Sequence, residues 1–95
     1  MKREIIQFVS KTCSSCLIQK NVLNIIKEKY PLLVIKNIDI FANYDQALKY
    51  GVKGAPTLVF IEDDRAIKTH YGFQKEQQVL DYLELFGWIE DFKSI

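Results

Sequence analysis

The chain has only two cysteines, one histidine, one tryptophan, two prolines and four glycines in 95 residues. Long hydrophobic runs are missing too. The longest purely apolar stretches are short, such as Leu58-Val59-Phe60-Ile61, whereas a bilayer-crossing helix needs about 20 residues. The start, Met1-Lys2-Arg3-Glu4, is charged, but the run Ile5 to Val9 behind it is short and broken by Gln7. It is no signal-peptide core, so the expected compartment is the cytoplasm. Neither sign of charge dominates: 13 Lys and Arg face 12 Asp and Glu, a net charge of +1. The basic residues are spread along the chain. That argues against nucleic acid as the main partner and against a membrane surface. Repeats, linkers and low-complexity segments are absent, so residues 1–95 read as one soluble domain. A domain of this size buries roughly 65% of its unfolded surface, enough for one modest core without staples.

What is present is a cysteine pair in an informative place. Cys13-Ser14-Ser15-Cys16 follows directly on the apolar run Ile5–Val9 and opens a segment with helical spacing. Positions i and i+3 share a helix face, at a separation a disulfide tolerates. A helix N-terminus offers free N–H groups and partial positive charge, which favour a thiolate on the first cysteine. A thiolate with a second thiol beside it is the minimum equipment for thiol–disulfide exchange. In a cytoplasmic protein such a pair is more often catalytic than structural. Two other readings exist. Zinc wants four ligands, and His70 is the single soft candidate beyond the cysteines, so no metal is expected. A structural disulfide across four residues would constrain the unfolded chain very little. Lys11 reads as a solvated loop charge that could also tune the Cys13 thiolate.

The coarse organisation is legible from periodicity. Ile5–Val9 reads as a first strand. Ile18, Val22, Ile25 and Ile26 recur at helical spacing, and Tyr30-Pro31 stops that helix. Leu32 through Ile40 reads as a second strand, parallel to the first because a helix connects them. Tyr44, Ala47 and Leu48 give a short helix ended by Gly51. Pro56 precedes a third strand, Thr57–Ile61, where a missing donor is tolerated. Asp63-Asp64 turns into a fourth strand, Ala66–Tyr71, as a hairpin. Asp39 reads as a turn or cap residue. Val79, Leu83 and Phe86 mark a last helix with Gly87 as its C-cap.

This order, the strand–Cys-x-x-Cys–helix junction, Gly54-Ala55-Pro56-Thr57 leading into a strand, and Gly72 after the fourth strand together resemble the thioredoxin family. The resemblance covers roughly residues 4–86 and leaves an apolar tail over 87–95. Without the extra N-terminal strand and helix of longer members, the chain is similar to the minimal, glutaredoxin-sized ones. The resemblance implies an α/β thioredoxin fold in the minimal β-α-β-α-β-β-α form. A four-stranded mixed sheet would be flanked by three helices, the first and last on one face and the middle one on the other. It also implies roles. Cys13 matches the exposed attacking cysteine and Cys16 the buried resolving one. Pro56 matches a cis-proline facing the disulfide, which would leave the backbone of Ala55 free to pair with an extended substrate. Thr12, Gly72 and Phe73 would flank the same groove.

Three departures from the family pattern stand out. Thr12 replaces a tryptophan before the first cysteine, removing an aromatic wall. Ser14-Ser15 replaces Gly-Pro, which leaves the potential unfixed within the superfamily's span of about −270 to −120 mV. Gln7 stands six residues before Cys13, where the family carries a buried aspartate that helps deprotonate the second cysteine; an amide cannot take that proton. Glutaredoxins share a lysine before the cysteine, but their Cys-Pro-Tyr-Cys and Thr-Val-Pro are absent. The expectation is a monomeric dithiol–disulfide oxidoreductase that reduces protein disulfides and binds no cofactor. A disulfide reductase or a thiol pool would supply its electrons. The alternatives are a glutaredoxin-like or oxidase-type exchange protein, or a redox-sensing binding module. In the tail, Trp88, Ile89, Phe92 and Ile95 form either an extra helical turn on the core or a dimer contact.

Overall fold

A computed structural model describes residues 2–92. The elements are β1 (Arg3–Val9), α1 (Ser14–Lys29), β2 (Val34–Asp39), α2 (Tyr44–Lys49), β3 (Thr57–Glu62), β4 (Arg65–Tyr71), α3 (Glu76–Leu85) and α4 (Trp88–Phe92). The sheet order is β2-β1-β3-β4. β1 runs parallel to β2 and antiparallel to β3, and β4 is antiparallel to β3. This is the mixed four-stranded sheet of the thioredoxin fold, with one helix more than the three expected.

The central strands β1 and β3 are buried along almost their whole length, because helices cover both faces of the sheet. Alternation then sorts their side chains. Ile5, Leu58 and Phe60 join Leu23 and Ile26 of α1 and Val79 and Leu83 of α3 in one core. Ile6, Phe8, Val59 and Ile61 join Ala47 of α2, with Ile40 and Val52, in the other. The first and last helices therefore share one face, and α2 takes the opposite one. The β3–β4 hairpin turns at Asp63 and Asp64, whose φ angles are 51° and 68°. Two successive left-handed residues match the twist of the flanking strands, and aspartate tolerates that region better than most side chains. Across the helix layer, Lys29 at the end of α1 donates to Glu76 at the start of α3 at 2.6 Å. That hydrogen bond and charge hold the Lys29 ammonium above its usual range.

Several sequence expectations shift. The buried face of α1 is Cys16, Gln19, Leu23 and Ile26; Ile18 and Ile25 are exposed, and Val22 is partly so. Cys16, Gln19, Leu23 and Ile26 stand at i, i+3, i+7 and i+10 and so share one face. Leu32 is exposed and Leu33 buried ahead of β2, which begins only at Val34. In α2 Ala47 alone is buried, while Tyr44 and Leu48 face out. Phe86 caps α3, and Gly87 follows with φ 76°. Trp88 is fully buried in the α1/α3 core, 6.3 Å from the ring of Phe60, with its indole N–H donating to Glu62 at 3.1 Å. The extra turn thus packs on this chain's own core. The Phe92 side chain and Ile95 lie outside the described residues.

Candidate active site

The strand register gathers four loops at one end of the sheet. Val9 ends β1 opposite Asp39 of β2, and Phe8 pairs with Thr57 at the start of β3. Thr57 in turn pairs with Tyr71 at the end of β4. The segments carrying Cys13, Ile40–Asn43, Pro56 and Gly72 therefore emerge together. Asp39 shapes its own loop by accepting hydrogen bonds from the N–H groups of Phe41 and Ala42 at 2.8 and 3.1 Å.

Cys13 occupies the N-cap of α1 in extended backbone (φ −97°, ψ 96°) without a side-chain capping bond. Its N–H donates to the Ser10 carbonyl at 3.3 Å, and its carbonyl accepts from the N–H of Cys16 at 3.3 Å. This single turn brings the two Cα atoms to 5.3 Å, and the sulfurs are bonded as a disulfide. Cys13 is partly exposed, whereas Cys16 is buried. Cys13 Sγ lies 3.7 Å from Ser15 Oγ. The N-terminal turn of α1 contains no acidic residue to oppose negative charge on a Cys13 thiolate.

Gln7 is fully buried in β1, and its Nε2 donates to the Cys16 carbonyl at 2.9 Å. Its Oε1 is buried without a hydrogen-bond partner. The side chain therefore holds the backbone of the second cysteine and presents an unused acceptor beside it.

On the opposite side, the Ala55–Pro56 bond is cis. Pro56 is buried and Ala55 partly exposed. The Pro56 carbonyl accepts from the N–H of Gly72 at 2.8 Å. Gly72 has φ +99°, a conformation that glycine alone adopts readily. A Cβ on Gly54 would come within 2.9 Å of the exposed Tyr71 ring, which would have to swing aside. Tyr71 and Phe73 are both exposed, so neither is core packing. Thr12 and Lys11 are exposed on the loop before Cys13. His70 Nδ1 lies 3.5 Å from the Tyr82 hydroxyl of α3. Among the described residues, no three His, Cys, Asp or Glu side chains cluster to hold a metal ion.

Gln19 is a residue that sequence reasoning missed. One turn beyond Cys16 and fully buried, its Nε2 donates to the Gln74 carbonyl at 3.0 Å, and its Oε1 accepts from the Gln74 N–H at 2.7 Å. This two-bond link ties α1 to the Gly72–Gln74 loop. The available signal was its place three residues after Cys16, on the same helix face.

The thioredoxin family model matches residues 1–85. A thioredoxin of Bacillus subtilis (strain 168) is 32% identical over 71 residues, which span 74% of this chain and 68% of that protein. A thioredoxin of Buchnera aphidicola subsp. Baizongia pistaciae is 28% identical over 86 residues, 90% of this chain and 79% of the relative. Among solved structures, a mutant thioredoxin from Halobacterium salinarum NRC-1 superposes with a TM-score of 0.80 at 28% identity, covering 87% of this chain and 73% of that one. A malarial protein at 17% identity, also with a TM-score of 0.80, shares the fold over 90% of this chain and 97% of its own. With its cysteine pair at the start of α1, this chain belongs to the thioredoxin family and is a thiol–disulfide oxidoreductase.

Proposed function

We propose that the chain acts as a single monomeric domain over residues 1–95 and reduces protein disulfides in the cytoplasm. The observation that carries this reading is the unequal exposure of the pair: a reachable Cys13 bonded to a buried Cys16 at a helix start. In the reduced form the N-terminus of α1 favours the Cys13 thiolate. That thiolate attacks one sulfur of a substrate disulfide. The substrate S–S bond breaks, and its other sulfur leaves as a thiolate that takes a proton from solvent. Cys16 then loses its proton and attacks Cys13 Sγ. The mixed disulfide opens, the second substrate sulfur leaves and is protonated, and Cys13–Cys16 is oxidised. Two electrons have passed to the substrate. The cysteines carry them, so the cycle needs no bound cofactor. A disulfide reductase or a thiol pool returns them.

The neighbouring residues have roles consistent with this cycle. An extended substrate segment pairs with the backbone of Ala55 beside Pro56, as in strand addition. Thr12, Gly72 and the exposed Phe73 flank that segment. Lys11 adds positive charge to the Cys13 loop. Gln7 positions Cys16 but cannot accept its proton, so water takes it. A binding module with incidental thiols would be favoured by a tail lying over Cys13. Trp88 is instead buried in the core with Phe60, which leaves the redox reading the better supported.

The test is trapping on a defined peptide disulfide. Cys16→Ser is expected to accumulate a covalent mixed disulfide on Cys13, and Cys13→Ser to accumulate little or none. Equal capture by both variants would overturn the two-step cycle. The reduction potential of the pair tests the direction: a value near about −270 mV fits a reductase, and one near about −120 mV would reverse it.

A further inference from the structure

A cleft of about 270 Å³ opens directly beside the disulfide, on the side away from Pro56. Cys13 and Cys16 form part of its wall. The remaining wall includes Lys11 from the loop before Cys13, Leu17 and Lys20 from α1, and Asn37 from β2. Lys11 and Lys20 are exposed. Among the described residues, neither takes part in an ion pair or a hydrogen bond. No acidic residue lines the cleft. Two ammonium groups without partners among the described residues thus flank a cleft whose wall includes the reacting disulfide itself.

We infer that this cleft selects polypeptide substrates that carry an acidic side chain close to the attacked cysteine. The inference rests on the proposed reduction of protein disulfides and names the class of substrate. When Cys13 attacks, the substrate sulfur becomes covalently joined to it, so the substrate's neighbouring residues must lie beside the cleft. An extended chain advances about 3.3 Å per residue. A carboxylate one or two residues from the substrate cysteine therefore reaches Lys11 and Lys20. Leu17, which is 70% exposed, offers apolar contact to the stem of that side chain, and Asn37 offers a further donor. The occupant is an acidic segment of protein because the groove on the other side of Cys13 is suited to extended backbone. The balance of the exchange is unchanged: Cys13 Sγ bonds to the substrate sulfur, and the partner sulfur leaves as a thiolate. The lysines supply encounter and orientation. Exposed charge pairs steer association, and salt weakens them.

The test compares octapeptide disulfides that differ only in having Asp, Asn or Lys beside the cysteine. Second-order oxidation rates of the reduced protein are read by acid quench and mass at low and high salt. The acidic peptide is expected to react about three- to tenfold faster than the neutral one at low salt, with the basic peptide slowest. High salt and the double variant Lys11→Gln/Lys20→Gln are each expected to collapse the ratio towards one. Lys68→Gln on β4 is expected to leave it intact. The ratio matters because a lysine that merely tunes the Cys13 thiolate would change all three rates together. Equal rates on all three peptides would overturn the inference and leave the reductase reading standing. No reduction of even the neutral peptide would overturn the reductase reading itself. Glutathione disulfide is a further arm. If it depends on the two lysines more than the acidic peptide does, the cleft serves a small anionic disulfide, and the assignment to acidic protein segments falls.

Discussion

Gln7 concentrates the chemical peculiarity of this chain in one side chain. Its amide N–H holds the Cys16 carbonyl, and its oxygen remains buried without a partner. A carboxylate at the same place could accept the proton that Cys16 must lose, and positioned bases of this kind speed proton transfer strongly. Gln7→Asp is therefore expected to raise the rate at which the mixed disulfide resolves near neutral pH. The same change gives up the donor to Cys16 and buries an ionisable group, at a cost of about 1–3 kcal/mol. Single-turnover reduction of one peptide disulfide across pH, alongside urea unfolding of both proteins, measures the two effects. Superimposable pH profiles would show that water already serves Cys16 as well as a carboxylate can. Gln7 was legible from sequence as a polar break in an apolar strand. The orphaned oxygen was not, because no spacing rule reports which neighbours an amide finds.

Among the elements, α1 shows where periodicity misleads. Ile18, Val22, Ile25 and Ile26 make a plausible apolar stripe, yet the helix is turned so that Cys16, Gln19, Leu23 and Ile26 face inward. The stripe follows hydrophobicity alone, whereas the inward face is the one that buries Cys16, Leu23 and Ile26 and leaves Ile18 and Ile25 outside. That rotation brings a glutamine into the interior, where it survives because the Gln74 backbone satisfies both ends of its amide. Gln19→Leu keeps the volume and removes both bonds, leaving a buried N–H and C=O of Gln74 unpaired. The expected cost is about 1–3 kcal/mol. The Gly72–Phe73 rim should also lose its fixed place beside Pro56. The peptide-disulfide KM is expected to rise severalfold while the alkylation rate of reduced Cys13 stays unchanged. A stability loss without any KM change would make Gln19 a purely structural link.

At the scale of the whole molecule, the order of elements along the chain, the parallel β1–β2 pair and the β3–β4 hairpin were legible from apolar runs and connection lengths, and the division of helices between faces from the family resemblance. The order of the strands within the sheet was not. Neither was the fate of the tail, since an apolar segment after the last helix serves a core and an interface equally well. Its tryptophan closes the core from below, against Phe60 and Phe86, and hydrogen-bonds to Glu62, which also pairs with Arg3 at 2.8 Å. The first strand, the third strand and the tail are thereby joined. Trp88→Ala is expected to lower global stability by about 3–5 kcal/mol, read from the urea midpoint. A loss below about 1 kcal/mol would mean that the tail is dispensable to the fold.

The loops around the cysteines are braced against one another: Gly72 by the Pro56 carbonyl, Gln74 by Gln19, and the second cysteine by Gln7. A surface braced in this way has little freedom to mould itself around a visitor. The accommodation falls to the visitor, which must straighten and present its own sulfur bridge. Client proteins are therefore sorted by their own looseness. A bridge in a segment that can peel away is open to attack, while the same bridge in a tight fold is spared until that fold relaxes.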